Sequence, residues 1–134
     1  MFNVGIIGAT GYTGSELVRI LFNHPDVSIK IITSESHKGK KFSDIHPQFK
    51  GIVDYNLKPA NEINPAELDI VFLALPHGIS MEFVKNLIKE DIRIIDLSGD
   101  FRLSSKAVYE QWYKKEHTFP EGFDQAVFGI PELY

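Results

Sequence analysis

Cysteine is absent from these 134 residues. That removes disulfides, thiolate metal sites and, most consequentially, any cysteine nucleophile. An excess of positive charge is missing too: 14 Lys and Arg stand against 18 Asp and Glu, a formal net charge of -4. No general basic field exists to hold nucleic acid or an anionic membrane. No apolar run approaches the ~18 residues of a membrane span, and the N-terminus leads straight into a strand-like segment. The expectation is a soluble, cytoplasmic protein. The histidines (His24, His37, His46, His77 and His117) show neither His-x-x-x-His nor His-Glu-x-x-His spacing, which argues against a metal site.

What is present suffices for one domain. An apolar share of 43% can fill a core, and an aromatic share of 12% argues against disorder. Strand-like and helix-like patterns alternate along the chain. Phe2 to Ile7 reads as a buried strand, and Gly14, Leu17, Val18 and Leu21 then fall on one helix face until Asn23-His24-Pro25 stops it. Val27 to Thr33 is a second strand, and the polar stretch 34–62 reads as loops around a short strand near Gly51-Ile52-Val53. Asp69 to Leu75 is a continuous apolar run suited to a strand covered on both faces. A helix marked by Phe83, Val84, Leu87 and Ile88 follows, then a strand from Ile92 to Leu97. Ser104 or Ser105 can cap a helix with Val108, Tyr109, Trp112 and Tyr113 inside, and Ala126-Val127-Phe128 resembles a last short strand. Repeated β-α units of this kind predict an α/β fold, a single Rossmann-like domain built on a doubly wound parallel sheet.

Gly8, Gly11 and Gly14 sit where the first strand gives way to the first helix. Glycines there allow a tight turn and close approach to a pyrophosphate, which the free N–H groups and positive end of the helix favour. The spacing is G-x-x-G-x-x-G rather than G-x-G-x-x-G, so the match rests on context; a tight connection with no ligand is the plain alternative. Where an NAD site would place an acidic residue, the second strand ends in Thr33 and Ser34, followed by Lys38, Lys40 and Lys41. Hydroxyls and lysines suit a 2′-phosphate and so NADP, although Glu35 would favour NAD if turned inward and the lysines also fit a solvated loop. His77 and Gly78 follow the apolar strand at the sheet edge where ligands collect, which suits a cofactor contact as well as a structural turn. Asp96-Leu97-Ser98-Gly99-Asp100-Phe101-Arg102-Leu103 brings carboxylates, a hydroxyl and a guanidinium to the same edge, unless Asp100 and Arg102 simply pair with each other.

Taken in order, GATGYTG at 8–14, ALPHG at 74–78, DLSGDFRL at 96–103 and FGIPEL at 128–133 resemble the N-terminal part of the N-acetyl-gamma-glutamyl-phosphate reductase family, across essentially the whole sequence. The resemblance implies an NADPH-dependent reduction of an acyl phosphate to an aldehyde. It also implies a cysteine thiolate nucleophile in a later Pro-Gly-Cys-Tyr-type motif, with a catalytic histidine further on. Neither is expected within these residues. An abrupt end at Tyr134 suggests a chain cut before the catalytic and oligomer-forming domain, inactive alone and without substrate of its own.

By the same resemblance, Gly8, Gly11 and Gly14 would hold the pyrophosphate, with Thr10, Tyr12 and Thr13 lining the turn. Ser34 and Lys38 would lie near the 2′-phosphate, and Pro76, His77 and Gly78 would border the nicotinamide half. Ser98 and Gly99 would approach the nicotinamide, with Arg102 where substrate phosphate enters. Two alternatives stay open. One is an NADP-sensing module of the short-chain-dehydrogenase-like group, although no tyrosine here is followed four residues later by lysine. The other is a relative acting in carrier-linked lysine synthesis or on aspartate semialdehyde.

Overall fold

Four parallel strands form the centre of the computed structural model, which describes residues 1–133. Tyr134, on which the expectation of an abrupt end rests, lies outside the described residues. The strands are β1 (Phe2–Ile7), β2 (Val27–Thr33), β3 (Ile70–Leu73) and β4 (Arg93–Asp96), in the spatial order β2-β1-β3-β4. Helices α1 (Tyr12–Phe22), α2 (Phe42–Ile45), α3 (Ser80–Leu87) and α4 (Lys106–Tyr113) fall between and after them.

Alternation along β1 sends side chains to opposite faces. Val4 and Ile6 join Ile29, Ile32, the α1 residues Val18 and Leu21, and the loop residues Phe42, Phe49, Val53 and Leu57 in one core. Ile7 joins Val71, Leu73 and the α3 residues Val84 and Leu87 in the other. Helices therefore cover both faces, as a doubly wound sheet requires. From β1 the chain moves one way to β2 and then returns past β1 to β3. The carboxyl ends of β1 and β3 thus bound the crevice at which such sheets take ligands.

One feature of β2 breaks strict alternation. Val4 pairs with Ile29 but Gly5 pairs with Ile31, an irregularity of one extra residue. This is how Ile29 and Ile32, three apart, both reach the α1 core.

Two expected strands are replaced by other conformations. Near Gly51-Ile52-Val53 the chain forms a 3-10 turn at Pro47–Phe49 and a left-handed turn at Gly51 (φ 75°). Val53 is buried because Phe42 and Phe49 enclose it rather than because it pairs. Ala126-Val127-Phe128 is also not a strand; Val127 is 91% exposed, and β4 remains the edge of the described sheet. Apolar triplets satisfy a strand pattern, but without a neighbour offering a backbone ladder they cannot become strands. The α4 helix starts as expected, with the Ser105 Oγ accepting the Val108 N–H at 3.4 Å. Its inner face is narrower than the pattern suggested. Tyr109 and Tyr113 stack 4.9 Å apart on the i, i+4 row, and Trp112 beside them is 71% exposed.

Candidate functional site

The first turn explains two of its glycines internally. Gly8 has φ 84°, and a Cβ there would meet the Ala74 carbonyl, with its carbon at 3.0 Å. A Cβ on Gly14 would strike the Gly8 carbonyl oxygen and lie 2.8 Å from both Cα and carbonyl carbon of Ala9. Gly8 thus serves the close approach of β1 and β3, and Gly14 lets α1 rest on the turn. Gly11 differs. Its φ is -73°, open to any residue, and a Cβ would have nothing within 4 Å. No part of the described fold demands glycine there. A ligand lying against the backbone would.

Gly11 is also the N-cap of α1 and offers no side-chain cap. The helical ladder begins with Ser15 N–H to Gly11 C=O at 2.8 Å, so the N–H groups of Tyr12, Thr13 and Gly14 precede it. No acidic residue sits in the first turn to neutralise the positive helix end. Tyr12 is 98% exposed and Thr13 is exposed beside it. The turn itself is held from outside. Ala9 N–H donates to the Thr33 carbonyl at 2.9 Å, Thr10 Oγ1 shares a hydrogen bond with Ser34 Oγ at 3.0 Å, and His46 Nε2 donates to the Thr10 carbonyl at 2.9 Å.

Ser34 is therefore joined to the glycine turn and buried, while Lys38 stands in solvent, 3.6 Å from the Glu35 carboxylate. Glu35 does not turn inward. Its carboxylate accepts the Ala60 N–H at 2.8 Å, and this bond, helped by Lys38, holds its carboxyl below the usual range.

On the other side of β1, the loop after β3 carries exposed Pro76 and His77 and then Gly78 with φ 89°. The segment after β4 is locked to it. Gly99 N–H donates to His77 Nδ1 at 2.8 Å, and the His77 ring lies 4.7 Å from that of Tyr113. A Cβ on Gly99 would come within 2.6 Å of Tyr113 Cζ and 2.9 Å of His77 Cε1, so glycine is needed for this contact.

Asp100 corrects the local-pair reading. It is fully buried, and its carboxylate accepts hydrogen bonds from Gly78 N (2.8 Å), Met81 N (3.0 Å) and Tyr109 Oη (2.9 Å) rather than from Arg102. Burial first, and the Asp100 carboxylate second, push the Tyr109 phenol far up, so it remains a donor. His117 Nε2 donates to the Asp100 carbonyl at 2.7 Å from a buried position between the rings of Tyr109 and Phe123. Sequence reasoning passed over His46 and His117 because neither shows metal or catalytic spacing. Their partners lie 36 and 17 residues away, and no local pattern reports such contacts.

Ser98 is buried and committed locally. Its Oγ donates to Asp96 Oδ2 at 2.9 Å and accepts the Asp100 N–H at 3.1 Å. Arg102 is exposed and opens, with Ser98, Asp96 and Phe128, onto a groove of ≈ 820 Å³ along the outer side of β4. No glycine-turn residue, nor His77, lines that groove. Two sets of site residues are thus held together, the turn with Ser34 and the His77 loop with Gly99. Arg102 belongs to neither.

Burial pushes the Asp96 carboxyl up, partly offset by its hydrogen bonds from Ser98. A raised carboxyl favours the fold below its unfolded-state value, and that contribution is lost as pH rises through the folded value. Asp96→Asn cannot ionise. Its stability relative to the parent chain is expected to improve as pH rises above the ordinary carboxylate range, as read from urea midpoints. A difference independent of pH would refute the assignment.

A parallel doubly wound sheet, a glycine turn with an open middle position and a bare helix N-terminus define a dinucleotide-binding domain of the Rossmann-like class. The chain matches the family described as "Semialdehyde dehydrogenase, NAD binding domain" over residues 3–134, and it belongs to that family. It is 48% identical over 134 residues to an N-acetyl-gamma-glutamyl-phosphate reductase of Halothermothrix orenii, covering 99% of this chain and 39% of that protein. It is 42% identical over 133 residues to a [LysW]-L-2-aminoadipate/[LysW]-L-glutamate phosphate reductase of Saccharolobus solfataricus, covering 98% and 38%. The chain therefore spans less than two fifths of these relatives' length. The same fold occurs in aspartate semialdehyde dehydrogenase with NADP from Candida albicans, with a TM-score of 0.66 at 22% identity over 79% of this chain and 32% of that one. Among the described residues no helix is long and apolar enough to cross a membrane, and no group of three potential metal ligands occurs.

Proposed function

We propose that these residues hold NADP(H) for a reductase that converts N-acetyl-gamma-glutamyl phosphate to its semialdehyde in arginine synthesis. The observation that carries the nucleotide reading is Gly11, a glycine unneeded by the fold at the head of an uncapped helix. Likeness to named reductases carries the reaction. Bound there, the reduced cofactor supplies a hydride. The chain's own residues bind and orient it: the Tyr12, Thr13 and Gly14 N–H groups toward the pyrophosphate, Thr10 shaping the turn, Ser34 and Lys38 at the 2′-phosphate, and Pro76, His77, Gly78, Ser98 and Gly99 toward the nicotinamide. Arg102 is assigned to substrate phosphate arriving along the β4 groove. With no cysteine among the 134 residues, the nucleophile implied by the family resemblance would come from outside them. In this reading the working enzyme is cytoplasmic and oligomeric.

Calorimetric titration of the chain with NADPH and NADH tests this. Saturable binding of NADPH, tighter than NADH, is the expected result; no saturable NADPH binding at millimolar cofactor would sink the assignment. Lys38→Ala is expected to weaken NADPH about fivefold, in keeping with one exposed charge-assisted contact, and to leave NADH unchanged. Equal effects on both cofactors would remove Lys38 from the 2′-phosphate.

A further inference from the structure

His77 carries an unusual restriction for a histidine at a sheet edge. Its Nδ1 accepts the Gly99 N–H, so the ring proton sits on Nε2. The ring cannot easily reorient. Tyr113 lies against one side, and the His77 carbonyl accepts Lys115 Nζ at 2.9 Å. Beneath it, Asp100 binds the N–H groups of Gly78 and Met81 and so holds the start of α3. The side chain is nevertheless exposed, and Nε2 has no partner among the described residues. The result is a single N–H donor, held in place, at the mouth of the crevice.

The sheet order indicates what comes to it. Ser34 ends β2, the glycine turn ends β1, and His77 and Gly99 follow β3 and β4. Adjacent strands are roughly 4.8 Å apart, so these positions extend over about 14 Å in one direction. A dinucleotide with its pyrophosphate at α1 and its adenosine end over β2 must direct its other end over β3 and β4. The polar group on that end is a carboxamide, whose carbonyl oxygen accepts hydrogen bonds and whose NH2 donates them.

We infer that His77 positions the nicotinamide by donating Nε2–H to its carboxamide carbonyl, with Gly99 and Tyr113 setting the tautomer and orientation of the imidazole. This rests on the cofactor reading above and sharpens it. The same geometry excludes His77 as a general base, because the exposed nitrogen bears the proton and the lone-pair nitrogen is engaged by backbone. Gly99 thereby acts on the cofactor through His77.

The test compares NADPH with 2′-phospho-ADP-ribose, which keeps both riboses and all phosphates but lacks nicotinamide. His77→Phe retains a ring against Tyr113 and loses the donor, whereas His77→Gln restores a donor. His77→Phe should weaken NADPH about tenfold, roughly the loss of one hydrogen bond, and leave 2′-phospho-ADP-ribose unchanged. His77→Gln should recover part of the loss. Nitrogen chemical shifts of the parent chain should place the His77 proton on Nε2. An equal loss for both ligands, no loss for NADPH, or a proton on Nδ1 would overturn the inference while leaving the cofactor site intact. If the parent chain binds 2′-phospho-ADP-ribose but not NADPH, the nicotinamide contact is overturned alone. If it binds neither, the cofactor reading falls as well.

Discussion

Gly14→Ala is expected to destabilise the chain by about 3 kcal/mol or more, because the added methyl would meet backbone rather than a side chain that can rotate away. The opposing atoms are the Gly8 carbonyl and the Ala9 backbone, which are themselves part of the turn. To admit a methyl, α1 must withdraw from β1 and expose the core around Val18 and Leu21. Gly11→Ala makes the same chemical change three residues earlier and should behave oppositely. Its Cβ enters open space with an allowed φ, so the cost is about 0.5 kcal/mol, that of a poorer N-cap. NADPH affinity should nonetheless fall at least tenfold, about 1.4 kcal/mol, since the methyl would occupy the place of the pyrophosphate. Urea unfolding and calorimetry on both variants separate the effects. If Gly11→Ala binds NADPH like the parent chain, the phosphate cradle is not at this turn.

Asp100→Ala should cost about 3 kcal/mol or more, through the desolvation of donors left without an acceptor. Gly78 N, Met81 N and Tyr109 Oη all lose their partner at once, and the loop after β3 detaches from α4. Asp100→Asn keeps the volume and one oxygen but turns an amide N–H toward a backbone N–H, for an expected loss of about 2 kcal/mol. Tyr109→Phe removes one donor together with its share of the acceptor and should cost less than either. Denaturant midpoints of the three variants give the order. A surface-like effect for Asp100→Ala, below about 0.5 kcal/mol, would contradict the buried clamp.

The strands were readable because a strand covered on both faces is written as a continuous apolar run, as Ile70 to Leu73 is. The glycine turn was readable because its residues are adjacent in the chain. The irregularity in β2 was not: whether Ile29, Ile31 and Ile32 share a face depends on their partners in β1. Trp112 was misplaced for a similar reason. The inner row of α4 is set by Tyr109 reaching Asp100 and Tyr113 reaching His77, contacts that helical periodicity does not contain.

The sequence by itself determined the alternating α/β order, the position of the glycine turn, the absence of a thiol and the family resemblance, all of which rest on neighbouring residues or composition. Only the tertiary structure decided what each residue does within that frame. It separated Gly11, open to a ligand, from Gly8 and Gly14, which the fold itself requires. It moved Asp100 from a surface pair to a buried clamp, and it assigned the proton of His77 through a backbone N–H 22 residues away. Hydrophobic period and turn chemistry act over a few residues. Hydrogen-bond partners and close approaches are fixed only when distant segments meet around a common core.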